Sequence, residues 1–284
     1  MGGGVPSTGL LPSWQGEQLL AAPPEDLSRF IGPLSVTTIA PGEETIPERL
    51  LLNRCTLVQI VIDGAMSWLP RNGGWTPIAG PVIVGNQSRA VRIRLEAPVR
   101  VAGFAVHPAA WAAFAAKPAT TFANRIVALK GGWADQLDAA TREDDPATAL
   151  ERLIDAVRGH VMPHADKYAE TASAFDEIVN SEPNMPVVEA AETIGLSPRM
   201  LERLARRHFG HTPKLVMRKS RLLMAIEETR RPLSPAFDRV SDLFYDASHQ
   251  NRDFRLFLDR TPIAFARRER PLLSAGLVDM PARA

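Results

Sequence analysis

At 284 residues, with one cysteine and a net charge of +1, the chain is long enough for two domains with cores of their own and cannot hold an internal disulfide. Its apolar and charged fractions, 45% and 23%, are those of an ordinary globular protein and exclude a fibrous or disordered one. The small net charge conceals an uneven spread. Residues 187–273 hold 17 basic and 11 acidic residues, the remainder 16 and 21. That spread assigns any polyanionic partner to the C-terminal part, although a solvated basic face would give the same count.

In chain order, residues 1–14 have no basic stretch followed by a long apolar one, so no targeting segment is expected. Residues 34–104 are rich in Val, Ile, Leu and Thr, with turn signals at Asp63-Gly64 and Asn72-Gly73-Gly74. Alternation over Ala90–Leu95 marks a strand with one wet face. Short strands so punctuated predict a sandwich or barrel. Cys55 lies in an apolar run here and reads as a small buried hydrophobe rather than a reactive thiol. Residues 101–116 form the longest uncharged run, but His107-Pro108 interrupts it and it falls short of the roughly 20 residues that span a bilayer. It reads as a buried strand leading into a helix, and no membrane association is expected.

From Pro108 onward the period becomes helical. Residues 146–162 place Leu150, Leu153, Ile154 and Val157 on one face, and 166–180 form another amphipathic helix. These two could make a dimer interface or simply pack the domain junction. The break at 162–166 divides the chain into a β-rich domain with trailing helices, 1–164, and a helical domain, 165–284. In the latter, 187–194 reads as a short helix with Val188, Ala191 and Ile194 inward. Gly195 suits a left-handed helix end, and Ser197 with Pro198 suits the cap and first position of the next helix. That second helix has Leu201, Leu204, Ala205 and His208 on one side. Arg199, Glu202, Arg203 and Arg206 lie on the other. Two short helices so joined form a helix-turn-helix, whose second helix can enter a major groove, where arginine reads guanine through two hydrogen bonds. A plain helical hairpin with a solvated basic face has the same spacing.

Ala191, Gly195-Leu196-Ser197-Pro198-Arg199, Leu201, Arg203 and Gly210-His211-Thr212-Pro213-Lys214 resemble the DNA-binding domain of the AraC/XylS family of bacterial transcriptional regulators. Residues 218–225 resemble that family's linking helix and 246–262 its second helix-turn-helix, so the resemblance covers about 170–270. The N-terminal half resembles the family's β-rich sensory domains, most closely over 101–129.

The resemblance implies an α+β chain: a β-barrel or cupin-like domain, then an all-α domain with two helix-turn-helix units, about 187–209 and 235–258, joined by a linking helix. It implies that Arg199, Glu202, Arg203 and Arg206 contact DNA from the first unit. From the second, capped by Asp246, the implied contacts are Ser248, Asn251, Arg252 and Arg255, with His249 at the edge of the face. Arg239, Leu243 and Gln250 fall where the family has a small alanine, a turn glycine and an apolar core residue. Burying a polar group without a partner costs about 1–3 kcal/mol, so either the helices shift to expose these groups or the second unit is loosely seated.

Competing chemistries find little support. His160 and His164 are four apart but Pro163 intervenes, and no third ligand is evident, so no metal is expected. Residues 34–104 contain no histidine, against a metal-dependent cupin enzyme. No nucleophile elbow, phosphate loop or dinucleotide fingerprint occurs, and no cofactor is expected. Trp68, Trp75, Phe104 and Trp111, with Phe114, are candidates to line an apolar ligand pocket or are ordinary core aromatics. The sequence thus predicts a cytoplasmic transcription regulator rather than an enzyme. Its expected partners are double-stranded DNA, a small-molecule effector, a second copy of the chain and, for an activator, RNA polymerase. The alternatives are a cupin-like enzyme or small-molecule binder with a helical appendage, or a helical interaction module.

Overall fold

The computed structural model describes residues 15–40, 48–95, 98–161, 167–228, 244 and 247–266. Eight strands form one antiparallel sheet: β1 (Gln15–Ala21), β2 (Ile31–Ala40), β3 (Glu48–Leu51), β4 (Thr56–Leu69), β5 (Thr76–Val84), β6 (Val91–Leu95), β7 (Val99–Val106) and β8 (Ile126–Ala128). The main order is β1-β2-β7-β4-β5-β8. The far half of β4 also pairs with β6, which pairs with β3. Strands β1 and β8 do not pair with each other among the described residues, so the barrel-like expectation is met by an open sheet.

Strand alternation gives the sheet two apolar faces. Val58 and Ile60 of β4, Ile83 of β5 and Ala102, Phe104 and Val106 of β7 belong to one core. Val61, Met66 and Trp68, Val82 and Val84, and Val99 and Val101 belong to the other. After β7 the chain passes through a 3-10 turn and α1 (Trp111–Phe114), then a second 3-10 turn at Ala119–Thr121 and β8. Helices α2 (Gly132–Thr141) and α3 (Pro146–His160) cover the first face. Asp145 caps α3 by accepting from the Thr148 amide at 3.0 Å. Ala149, Leu150, Leu153 and Val157 of α3 are buried against the sheet, with Ile154 at the edge. That settles their role as packing.

The helical part comprises α4 (Ala169–Ser181), α5 (Val187–Thr193), α6 (Pro198–Phe209), α7 (Pro213–Glu228), α8 (Ala247–Leu258) and α9 (Pro262–Ala266). The break at 162–166 and most of 229–246, including Arg239, Leu243 and Asp246, lie outside the described residues, as does His164. Ala172, Phe175 and Val179 of α4 pack with Leu201, Leu204 and Phe209 of α6 and with Val216 and Met217 from the first half of α7. Leu222, Leu223 and Ile226 from its second half pack with Phe254, Phe257 and Leu258 of α8. At 1.5 Å per residue, α7 is about 24 Å long, so its two halves seat two separate units. No helix among the described residues is long and apolar enough to cross a membrane.

Candidate nucleic-acid interface

The turn between α5 and α6 is built by local chemistry. Gly195 takes φ +70°, a conformation that costs a side-chain-bearing residue dearly. Its amide donates to the Glu192 carbonyl at 3.0 Å, and the Leu196 amide donates to the Ala191 carbonyl at 2.8 Å. These two bonds satisfy carbonyls that would otherwise be orphaned at the helix end. The Ser197 hydroxyl then accepts from the Met200 amide at 3.3 Å, with Pro198 following. Ser197→Ala is expected to lower unfolding stability by about 1 kcal/mol, as lost caps do. Urea denaturation checks this, and an unchanged midpoint would show that the cap contributes nothing.

Leu201, Leu204, Ala205, His208 and Phe209 form the buried side of α6. The His208 Nδ1 lies 3.0 Å from the Pro108 carbonyl, to which the protonated ring nitrogen donates. Arg199, Glu202, Arg203 and Arg206 are all exposed on the opposite side, where the sequence puts them. They are not equivalent. Arg206 donates to Glu202 Oε1 through Nε at 3.2 Å and Nη2 at 2.9 Å. Arg203 makes no hydrogen bond or ion pair among the described residues. The α5 expectation needs one correction. Val188 is 55% exposed, whereas Ala190 and Ala191 are fully buried. The inward set is Val187, Ala190, Ala191 and Ile194, which shares the i, i+3, i+4, i+7 spacing of a helix stripe.

On α8, Ser248, Arg252 and Arg255 are exposed at i, i+4 and i+7. Asn251 is half-buried, and its Nδ2 donates back to the Ala247 carbonyl at 2.9 Å. His249 departs from the expected face: it turns inward. Its Nε2 accepts from Arg221 Nη2 at 2.8 Å, and its ring meets Phe244 edge-on at 5.9 Å. Gln250 is half-buried rather than enclosed, so the full desolvation cost expected of it does not arise. What seats α8 is Asp253, with no exposed side-chain area. Its Oδ1 accepts from Arg218 Nη2 at 2.5 Å and its Oδ2 from Arg221 Nη2 at 2.6 Å. Arg221 also reaches Asn184 Oδ1 at 3.0 Å. Sequence reasoning missed this cluster because it treated charged residues as solvated or DNA-facing. The Arg218/Arg221 spacing on α7 was the available signal.

The sheet part grips the same helices. Asn86 donates from Nδ2 to the Phe209 carbonyl at 3.0 Å. Its own carbonyl lies 2.7 Å from His211 Nε2, which donates to it. Lys219, 1% exposed, donates to Asn86 Oδ1 and, at 2.9 Å, to the Gln87 carbonyl. Arg54 reaches Asn180 and Ser220 at 2.9 and 3.2 Å, and the Ala90 amide donates to the Phe257 carbonyl at 2.6 Å. Burial pulls the Lys219 ammonium down to about 7, with Cys55 opposing that shift and Arg54 adding to it. Burial, with Lys219 adding to it, takes the His211 imidazole down to about 4. The Cys55 thiol is pushed up to about 12, chiefly by burial, which keeps it a poor nucleophile at neutral pH.

The four aromatic ligand candidates are not gathered around one cavity. Trp68 lies in one sheet core, and Phe104 and Trp111 lie in the other. Trp111 Nε1 donates to the Lys117 carbonyl at 2.8 Å. Trp75 sits beneath the Arg94 guanidinium, 4.1 Å from its ring centre. Phe114 packs between Phe104 and Trp133, each 6.2 Å away. Among the described residues no group of three His, Cys, Asp or Glu could hold a metal ion.

No family model matches the chain, and no curated protein matches it. Among solved structures, unsaturated fatty acid-bound wild-type ToxT from Vibrio cholerae is 8% identical with a TM-score of 0.47, covering 90% of this chain and 95% of that one. A second ToxT structure from Vibrio cholerae, also 8% identical, has a TM-score of 0.44, covering 89% and 97%. The AraC-like transcriptional activator CuxR is 16% identical with a TM-score of 0.28, covering 75% and 87%.

Proposed function

We propose that the chain is a sequence-specific, DNA-binding transcription regulator of AraC/XylS type and not an enzyme. The observation that carries this reading is α6: a capped helix held by one buried side, presenting Arg199, Glu202, Arg203 and Arg206 together on its exposed side. That is the arrangement a groove-reading helix requires. Arg199 and Arg203 are the base readers, and the Glu202–Arg206 pair flanks them. Arg252 and Arg255 with Ser248 give α8 a second, smaller contact face, and Asn251 joins it by releasing its bond to Ala247. The sheet domain, ending near residue 164, is the sensory half. Its contacts to Phe209, His211 and Lys219 would let a bound effector bias how the reading helices are presented. A second copy of the chain and, for an activator, RNA polymerase complete the expected partners.

The test is duplex binding by the intact chain, followed by fluorescence anisotropy, on fragments first selected from random DNA. Affinity should fall steeply between 50 and 200 mM salt, because phosphate contacts release counterions. Arg203→Ala should cost about 1–3 kcal/mol on the selected site, the worth of a bidentate base contact. The thermal midpoint should hold, since the side chain is exposed. Affinity that is flat with salt, or an Arg203→Ala variant that binds like the parent, overturns the reading.

A further inference from the structure

Beside the reading face of α6 lies a groove of about 380 Å³ whose two walls come from different parts of the chain. One wall is a flank of α6. Helix phase puts Met200 on this flank and Glu202 on the opposite one, with Arg203 between them. The other wall is the second 3-10 turn of the sheet part, at Pro118 and Thr120. Short contacts hold that turn against α6. Trp111 Nε1 donates to the Lys117 carbonyl at 2.8 Å, just before the turn. Gly210, in the left-handed conformation at the end of α6, is so close that a Cβ added there would lie 3.3 Å from the Ala119 carbonyl oxygen. The groove is therefore built in advance rather than opened by an occupant.

Its lining is mixed. Pro118, Leu196 and Met200 are apolar, and Met200 is 41% exposed. The charged lining is all arginine, with no acidic side chain among the described residues. Arg206 is held by Glu202 and Arg207 has a partner of its own, so neither is free for an occupant. Thr120 is exposed, and its hydroxyl makes no hydrogen bond among the described residues. A sugar-phosphate strand matches such a lining, because deoxyribose is rich in C–H groups and phosphate oxygens accept from hydroxyls. The place matches too. An α-helix is about 10–12 Å across and the major groove of B-DNA about 12 Å wide, so a helix lying in that groove has a backbone strand along each flank.

We propose that the groove beside α6 seats one sugar-phosphate strand of the duplex that α6 reads, so that the sheet part itself belongs to the DNA-binding surface. The Thr120 hydroxyl donates to a phosphate oxygen, and the sugar lies against Met200 and Pro118. This rests on the DNA-reading role of α6. The contact is blind to sequence, since phosphate contacts position a duplex without specifying it.

The test uses the full chain and a selected duplex. Thr120→Glu should weaken binding about tenfold or more, and by the same factor on an unrelated duplex, as loss at a phosphate does. Thr120→Lys should tighten both and steepen the salt dependence by about one counterion. Thr76→Glu, exposed at the end of β5 away from Asn86, controls for net charge and should stay within about threefold of the parent, because salt screens a distant exposed charge. An iron–EDTA reagent coupled to Thr120→Cys should cut one strand over a few nucleotides bordering the selected site, whereas the parent, whose one thiol is Cys55, should give no cut. Thr120→Glu and Thr76→Glu with equal effects, or cleavage that is absent or scattered, overturns the inference. So does tighter binding by Thr120→Ala, which would make the turn an obstruction. In each of these cases the parent still binds the selected duplex and the reading of α6 stands. A parent that binds no duplex ends both.

Discussion

Asp253→Ala is expected to lower unfolding stability by about 3–5 kcal/mol, the cost of breaking a buried ion pair from one side. Asp253 is fully enclosed on α8, while Arg221 on α7 is 8% exposed and Arg218 30%. Removing the carboxylate leaves two guanidinium groups facing each other with no anion between them. Arg221 loses most, because its nearest remaining partners, Asn184 Oδ1 and His249 Nε2, carry no negative charge. Urea unfolding followed by circular dichroism reads the loss. Replacing all three residues with apolar ones, Asp253→Leu with Arg218→Met and Arg221→Met, should recover most of it, since well-packed apolar residues commonly match a buried ion cluster. A loss below 1 kcal/mol for Asp253→Ala would mean that α8 is seated by Phe254, Phe257 and Leu258 alone.

Stability is expected to rise with pH from about 4 to 9 and then level off. The sign follows from which state holds more protons. His211 binds its proton at about 4 in the folded chain, below its ordinary 6.5. The unfolded chain therefore holds the extra proton between those values, and stability climbs across that window. Lys219 does the same from about 7 toward its ordinary 10.5. Cys55 acts in reverse: its thiol, held to about 12 against an ordinary 9.0, makes the folded chain the better proton holder above 9, so stability declines there. Between pH 7 and 9 Lys219 dominates, with a slope of up to about 1.4 kcal/mol per pH unit. An uncharged amine still donates two hydrogen bonds, so the contacts to Asn86 and Gln87 survive the loss of the proton. Urea midpoints at pH 7 and 9 should differ in the parent and coincide in Lys219→Met. A parent that is flat over this range would show that the ammonium stays charged within the seam.

What the sequence made legible was what neighbouring residues decide. Gly195, Ser197 and Pro198 act within five positions of themselves, and the turn and cap they form are where their chemistry puts them. The buried side of α6 follows from a twelve-residue period with little ambiguity. The seven residues of α5 are too short for that: Val187 and Val188 are equally apolar, and only packing against α6 selects Val187. Strand β1, with Gln15, Glu17 and Gln18, lacks the β-branched signature and exists because β2 offers it an edge. A groove of about 380 Å³ beside α6, lined on one side by the sheet part and on the other by α6, was invisible for the same reason. Thr120, Tyr168 and Arg203 meet only when the sheet and the helices close on each other. Lys219, Asp253 and His249 show the opposite failure, in which residue types that usually face water are held inside by partners far away in sequence.

The seam at Asn86 has a consequence for modularity. Leu52 of the sheet part belongs to the core built around α7 and α8, Ala90 packs against it, and among the described residues Lys219 has its hydrogen-bond acceptors only on the sheet side. The helical part is therefore not a cassette that can be lifted out or attached to a foreign partner domain. Cutting near residue 165 would uncover leucines of α7 and strand an amine that was built to be dry. A change at residue 86 or 87 must in the same way be answered on α7, because Lys219 takes its acceptors from both positions.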